Sequence, residues 1–384
     1  MIYLDYNATT PLCPAARTAM QPYLGEHFGN ASSVHAAGRE ARAAIDDARD
    51  GLAAFLRAKP HELIFTASGT EANNLAVLGL ARSQRERGRH IICSSVEHHA
   101  VLHACEHLQK REGFEVTFLP VDAAGMVDPD ELAAAIRSET TLVSIMSANN
   151  ETGGVQPLAE IARVCRDRGV AFHSDMVQSF GKQPTDLSLT DAASFAAHKF
   201  YGPKGAGLLY LRAGLPIESI QYGGAHENQR RPGTENVAAI AGMAAAAEWA
   251  TREESAEQAR QGELRDRLWK IISRAFPLAQ QNGATAPRLA NTLNVSFPGT
   301  SSETLLMALD LEGICASSGS ACMVGSVTAS HVLLAMGASA DIAGSAIRFS
   351  IGKQTTAEEI GEAGAVVGRV MNRLCARRDA YAAV

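Results

Sequence analysis

A chain of 384 residues with 46% hydrophobic content can bury one large core and still carry a second, smaller one. The formal net charge of −6 excludes the broad basic field that a nucleic-acid backbone demands, so no direct nucleic-acid partner is expected. Seven cysteines, with no CxxC pair and no regular spacing, fit reduced thiols in a cytoplasmic protein, and no metal site is expected.

In chain order, the opening "MIYLDYNATTPL" places Asp5 early and lacks the basic and apolar regions of a signal peptide. From about residue 60 to 215, short β-rich runs alternate with helical patterns. The candidate strands are "ELIFTA" (62–67), "HIICSS" (90–95), "EVTFLPV" (115–121), "TLVSIMS" (141–147), "VAFHSD" (170–175), "AASFAA" (192–197) and "GLLYLR" (207–212). Between them, "PLAEIARVCRDRG" puts Pro157 in a first helical turn and Leu158, Ile161, Ala162 and Cys165 on one face. This rhythm predicts a largely parallel sheet covered by helices. The basic run Arg82 to Arg89 follows a helix and offsets the negative end of its dipole.

The run "VAAIAGMAAAA" (237–247) is a buried helix, far short of the roughly 20 residues that span a bilayer, so no membrane partner is expected. After residue 250 a charged helix sets Leu264, Leu268, Ile271, Ile272 and Ala275 on one face. Alternating segments at 291–297 and 345–351 follow, with a closing helix from about 356, as in a smaller α+β domain.

Three places carry candidate chemistry. In "FTASGTEANNLA" a strand gives way to Ser68, Gly69 and Thr70 and a helix opens, which suits a phosphate at the helix N-terminus. Thr70 serves equally well as a simple N-cap. In "HSDMVQSFGK", Asp175 ends a strand, where parallel sheets bind ligands. In "SFAAHKFYGPKG", Lys199 leaves an apolar strand into a turn, a setting for a Schiff-base lysine or for an ordinary surface one. Together, a phosphate cradle, an acid for a pyridinium nitrogen and a lysine for an aldehyde are the contacts that pyridoxal phosphate requires.

The segments "YLDYNATTPL", "FGNASSVH", "FTASGTEANNLA", "EHHAVL", "ANNETGGVQP", "HSDMVQSFGK", "HKFYGPKG", "RRPGTENV", "SSGSAC" and "IRFSIGKQTTAEEI" run collinearly along the chain. With them the sequence resembles the cysteine desulfurases of the NifS/IscS type. The resemblance implies an α/β protein of the pyridoxal-phosphate-dependent transferase fold type I. Residues 14–255 are then expected to form the large cofactor-binding domain, and residues 1–13 and 256–384 a small domain with a catalytic cysteine loop.

Residue by residue, the resemblance makes Lys199 the Schiff-base lysine and general base, with His198 beside it on the phosphate side. Asp175 pairs with the pyridinium nitrogen, and Gln178 and Asn150 bond the ring's phenolic oxygen. His98 stacks on the ring and is a candidate base for the attacking thiol. Gly69 and Thr70 hold the phosphate, and Thr234 reaches it from the other subunit of a homodimer. Arg348, with Asn150, binds the substrate carboxylate. Cys322 attacks the sulfur of L-cysteine and carries it as a persulfide, leaving L-alanine. Cys315, ending "LDLEGIC", reads as a buried strand residue. The implied acceptor is an iron–sulfur scaffold or a thiolation enzyme. A selenocysteine lyase, an aminotransferase and a sulfur-delivery subunit with little turnover are the alternatives.

Four positions depart from the family pattern: Met323 and Val324 beside the nucleophile, Met176 beside the pyridinium acid, and Ala196 in place of a phosphate-binding Ser. Ser194 shares a strand face with Ala196 and is the expected substitute.

Overall fold

The computed structural model describes residues 1–252, 254–318 and 329–382, with side chains as far as 375. Cys322, Met323 and Val324 therefore lie outside the described residues. In chain order the first half holds β1 (Ile2–Tyr3), α1 (Pro14–Met20), α2 (Ala36–Leu56), β2 (Leu63–Thr66), α3 (Gly69–Ser83), β3 (His90–Ser94), α4 (His99–Glu112), β4 (Glu115–Leu119), α5 (Pro129–Ala135), β5 (Thr140–Ser144), α6 (Leu158–Arg168), β6 (Ala171–Asp175), β7 (Ala192–Ala196) and β8 (Gly207–Leu211). The second half holds α7 (Val237–Thr251), α8 (Glu254–Ala275), β9 (Gln280–Gln281), β10 (Thr292–Ser296), α9 (Ser302–Leu311), β11 (Ile314–Cys315), α10 (His331–Ala335), α11 (Ala340–Gly344), β12 (Ala346–Ser350) and α12 (Ala357–Ala382).

Seven strands form one sheet in the order β2-β8-β7-β6-β5-β3-β4. Only β8 runs antiparallel to its neighbours β2 and β7; the remaining pairs are parallel. Runs such as "AASFA" and "GLLYL" are buried at every residue, as a sheet covered on both faces requires. One face packs Leu75, Leu80, Val101 and Leu108 of α3 and α4 against Ile91 and Leu142. The other sets Ile161, Ala162 and Cys165 of α6 against Val143 and Phe172. Cys165 is thus a packing residue, and burial pushes its thiol up to about 12. Pro157 stands at the N-cap of α6 rather than inside its first turn.

The C-terminal third builds a second layer. β10 pairs antiparallel with β12 and β9, and α8, α9 and α12 cover this sheet through Leu264, Leu268, Leu305 and Val367, which pack with Phe349 of β12. The two long helices touch closely because α12 supplies glycines at the contact. A Cβ at Gly364 would stand 2.6 Å from Ile271, and one at Gly368 would stand 2.8 Å from Ala275. Ala275 is nonetheless exposed, since the helix ends there.

The N-terminus belongs to this layer. β1 pairs parallel with β11, Ile2 opposite Ile314, and Asp5 bridges to Ser350. Cys315 ends β11, as a strand residue should, but it is half-buried rather than buried, because its sheet has two strands only. Among the described residues no helix is long and apolar enough to cross a membrane.

Candidate active site

A cavity of about 370 Å³ opens beyond the carboxyl ends of the parallel strands. It gathers Gly69 and Thr70 from the start of α3, His98 before α4, Asn150 after β5, Asp175 and Gln178 after β6, His198 and Lys199 after β7, and Arg348 from β12. Two expected residues are not in this group. Thr234 is exposed and lies outside the cavity of its own chain, and Cys322 falls outside the described residues.

The floor is acidic and deep. Asp175 is 4% exposed; its Oδ1 accepts the Val177 N–H at 2.9 Å, and its Oδ2 accepts an N–H of Asn73 at 2.6 Å. Burial raises the carboxyl above the ordinary aspartate range, against the pull of those two hydrogen bonds and the charge of Lys199. Asn73 Oδ1 is buried with no partner among the described residues.

Opposite stands Lys199. Its Nζ donates to the carbonyls of Asn7 at 2.6 Å and Ala8 at 2.9 Å. Asn7 is a junction for the whole site. Its carbonyl also accepts Gln178 Nε2 at 3.0 Å, and its Oδ1 accepts from Lys182 and Asn291. Its Nδ2 donates to Thr292 and its N–H to Ser350. The next residues continue the clamp: Thr10 Oγ1 donates to the His198 carbonyl and accepts the Tyr201 N–H.

His98 caps α4, with Nδ1 accepting the Ala100 N–H at 3.1 Å. Burial, reinforced by the Lys199 charge, lowers its pKa to about 4. A neutral imidazole bonded in this way keeps its proton on Nε2. The ring therefore offers a donor, and the expectation that it takes a thiol proton fits this arrangement poorly. His198 is likewise held at about 4, by burial first and the Lys199 charge second.

At the far wall, Arg348 is 3% exposed. Its Nη2 pairs with Asp5 at 2.8 Å and its Nη1 donates to the Asn150 carbonyl at 2.9 Å, while Nε has no partner among the described residues. Both flanks of the segment that contains Cys322 are tied to this region. Ser317 exchanges backbone hydrogen bonds with Arg348, and Ser330 Oγ donates to buried Glu151.

The anion end differs from the sequence reading in two respects. Ser68, not Thr70, is the N-cap of α3, its Oγ accepting the Glu71 N–H at 3.0 Å. Gly69 and Thr70 then occupy the first helical positions, whose N–H groups have no helical partner and suit an anion. Ser194 does not replace the missing hydroxyl at Ala196. It is fully buried, bonded at 2.9 Å to His173 Nε2 inside the sheet, and only Ala196 lines the cavity. Met176 points away too, into the core with Phe180.

These residues fit pyridoxal phosphate. A Cβ at Gly69 would stand 2.8 Å from Val177 Cγ2 and 3.0 Å from Ala196 Cβ, so the chain leaves the approach to the helix start clear only because glycine is there. The donor set supplies an anion cradle, a buried acid and a lysine amine around one space of the right scale.

Sequence reading gave no role to Asp5, Asn7, Asn73 or Lys182. Lys182 had a signal, since it lies four residues after Gln178 and so on the same side of a helical turn. Asn7 had none, because its partners are distant in sequence.

The aminotransferase class-V family model matches residues 2–362. The chain is 46% identical to cysteine desulfurase IscS of Dictyoglomus turgidum, over 97% of this chain and 95% of that protein. Among solved structures, it is similar to a NifS-like protein (37% identity, TM-score 0.90, 97% of this chain and 99% of the other). It is also similar to SspA in complex with cysteine (34%, TM-score 0.80, 91% and 99%). The chain belongs to the class-V aminotransferases, a family of pyridoxal-phosphate-dependent enzymes, and within them to the cysteine desulfurases of the IscS and NifS type.

Proposed function

We propose that this protein converts L-cysteine to L-alanine and carries the released sulfur on Cys322 as a persulfide for a protein acceptor. The observation that carries the reading is the arrangement of Lys199, Asp175 and Arg348 around one cavity.

Bound pyridoxal phosphate supplies an electron sink conjugated to the substrate's Cα. Gly69 and Thr70 would hold its phosphate, Asp175 its ring nitrogen, His98 a ring face, and Gln178 and Asn150 its phenolic oxygen. Asp175 is suited to its task by the two N–H groups that favour its ionised form. Arg348 binds the substrate carboxylate through the guanidinium edge left over from Asp5 and Asn150. Lys199, released from the Asn7 and Ala8 carbonyls, takes the Cα proton and returns it. The Cys322 thiolate forms a new S–S bond while the substrate's C–S bond breaks. The electron pair of that bond stays with carbon, and protonation there completes alanine. His98, as a neutral imidazole with its proton on Nε2, is read as a hydrogen-bond donor over the ring rather than the thiol's base.

The working unit is read as a homodimer, with Thr234 serving the partner's phosphate site, in keeping with its exposure. Residues 14–255 act as the cofactor domain and residues 1–13 with 256–384 as the domain that brings the thiol. The acceptor is an iron–sulfur scaffold or a thiolation enzyme, and the setting is the cytoplasm.

Mass spectrometry after incubation with L-cysteine tests the proposal. The expected result is a one-sulfur adduct on Cys322 with matching alanine, lost in Cys322→Ser and kept in Cys315→Ser. An adduct on Cys315, or amino transfer to a keto acid without any adduct, overturns it.

A further inference from the structure

Behind the cavity lies a second lysine that the reaction above does not use. Lys182 Nζ donates to Gln178 Oε1 at 2.8 Å and to Asn7 Oδ1 at 3.1 Å. We infer that Lys182 is a positioning residue that fixes the Gln178 amide with its nitrogen, not its oxygen, available to the cofactor's phenolic oxygen. The inference rests on the cofactor site proposed above.

The argument is one of donors and acceptors. An amide presents an oxygen that only accepts and a nitrogen that only donates, and its two orientations have nearly the same shape. Neighbours must therefore choose between them. The Asn7 carbonyl chooses correctly by accepting Nε2 at 3.0 Å, but the same oxygen is contested by Lys199 Nζ at 2.6 Å. The contact left to hold Gln178 Oε1 is Lys182, which can donate but, while protonated, cannot accept. Without it, the amide is free to turn its oxygen toward an anionic phenolate, which repels it.

Lys182 also sits where a lysine is an unusual choice. Burial, with the charges of Lys199 and Arg348 added, holds its pKa well below the ordinary lysine range. The groups facing it are Lys199, Arg348, Gln178 and Asn7. No carboxylate is bonded to it among the described residues, so an ion pair does not account for its placement. A fixed pair of hydrogen bonds does.

The experiment compares wild type, Lys182→Met, Gln178→Leu and the double variant, each stripped of cofactor, shown folded by circular dichroism, and titrated with pyridoxal phosphate. Lys182→Met is expected to weaken binding about tenfold, the scale of one hydrogen bond to a charged group. The double variant is expected to bind no more weakly than Gln178→Leu, because Lys182 acts through Gln178.

In the loaded proteins, the pH midpoint of the visible absorption band is expected to rise in Lys182→Met as it does in Gln178→Leu. A phenolate that has lost its donor holds the shared proton more tightly. Lys182→Gln, whose nitrogen sits one bond closer to the backbone, replaces Met if that variant does not fold. Wild-type affinity and midpoint in Lys182→Met, or losses that multiply in the double variant, overturn the inference. Failure of the wild type itself to bind pyridoxal phosphate would instead overturn the site proposal on which it rests.

Discussion

Replacing Asp175 with Asn separates what the site costs the fold from what it gives the chemistry. Asp175 is 4% exposed, and burial raises its carboxyl pKa despite the hydrogen bonds from Val177 and Asn73 and the charge of Lys199. A carboxyl raised in this way keeps a proton in the native state that the unfolded chain has already released. Its contribution to stability therefore falls as pH climbs from the unfolded carboxylate range through the raised native value. Asn at 175 removes that penalty and, with the Asn73 amide turned over, keeps one hydrogen bond between the two side chains, its N–H now donated to Asn73 Oδ1. Cofactor-free Asp175→Asn protein should then be about 1–3 kcal/mol more stable than wild type at pH 8. For a chain of 384 residues that corresponds to a rise in Tm of about 1–4 °C, shrinking toward pH 4. Cysteine turnover should fall by about a hundredfold or more, as when a preorganised electrostatic partner is lost. Thermal melts of the cofactor-free proteins from pH 4 to 8, with alanine formation assayed alongside, read both effects. Should the variant melt at or below wild type throughout, the Lys199 charge outweighs burial at Asp175 and the desolvation argument fails.

Two further substitutions probe the two ends of the cavity. Arg348→Lys keeps the charge but not the fork that serves Asp5 and the Asn150 carbonyl together. KM for L-cysteine should rise about tenfold or more with a smaller change in kcat, and an unchanged KM would take Arg348 out of carboxylate binding. Ala196→Ser places a hydroxyl on the cavity wall. It should tighten pyridoxal phosphate binding by about 2- to 10-fold, the range of one added hydrogen bond. No change on titrating the cofactor-free protein would mean that the phosphate does not pass residue 196.

The sheet was legible because its strands are short runs buried on both faces, as "AFHSD" and "AASFA" are at every residue. The direction of β8 was not, since composition does not distinguish parallel from antiparallel burial. Thr70 was mistaken for a possible cap because "SGT" (68–70) offers two hydroxyls in three positions. Ser68 has the role, its extended backbone aiming Oγ at the Glu71 N–H. Asp175 and Lys199 stood out as charged residues at the ends of apolar strands. Asn7 did not, because its hydrogen bonds reach across 143 to 343 residues of sequence. Ser194 looked equivalent to Ala196 on alternation alone, and a buried histidine claimed it.

The threading of residues 5–10 through the site has a consequence for how the protein is made. The ribosome delivers Asp5, Asn7 and Thr10 first, yet their partners are His198, Thr292, Arg348 and Ser350. All strands of the large sheet are complete once residue 211 has emerged. A nascent chain at that stage has Gln178, Lys182 and Lys199 to meet Asn7 but still lacks Asn291, Thr292 and Ser350, which complete the hold on it. Competence to take up the cofactor thus arrives with the last tenth of the polypeptide, and a chain cut short before Ser350 is left with an unfinished lysine pocket.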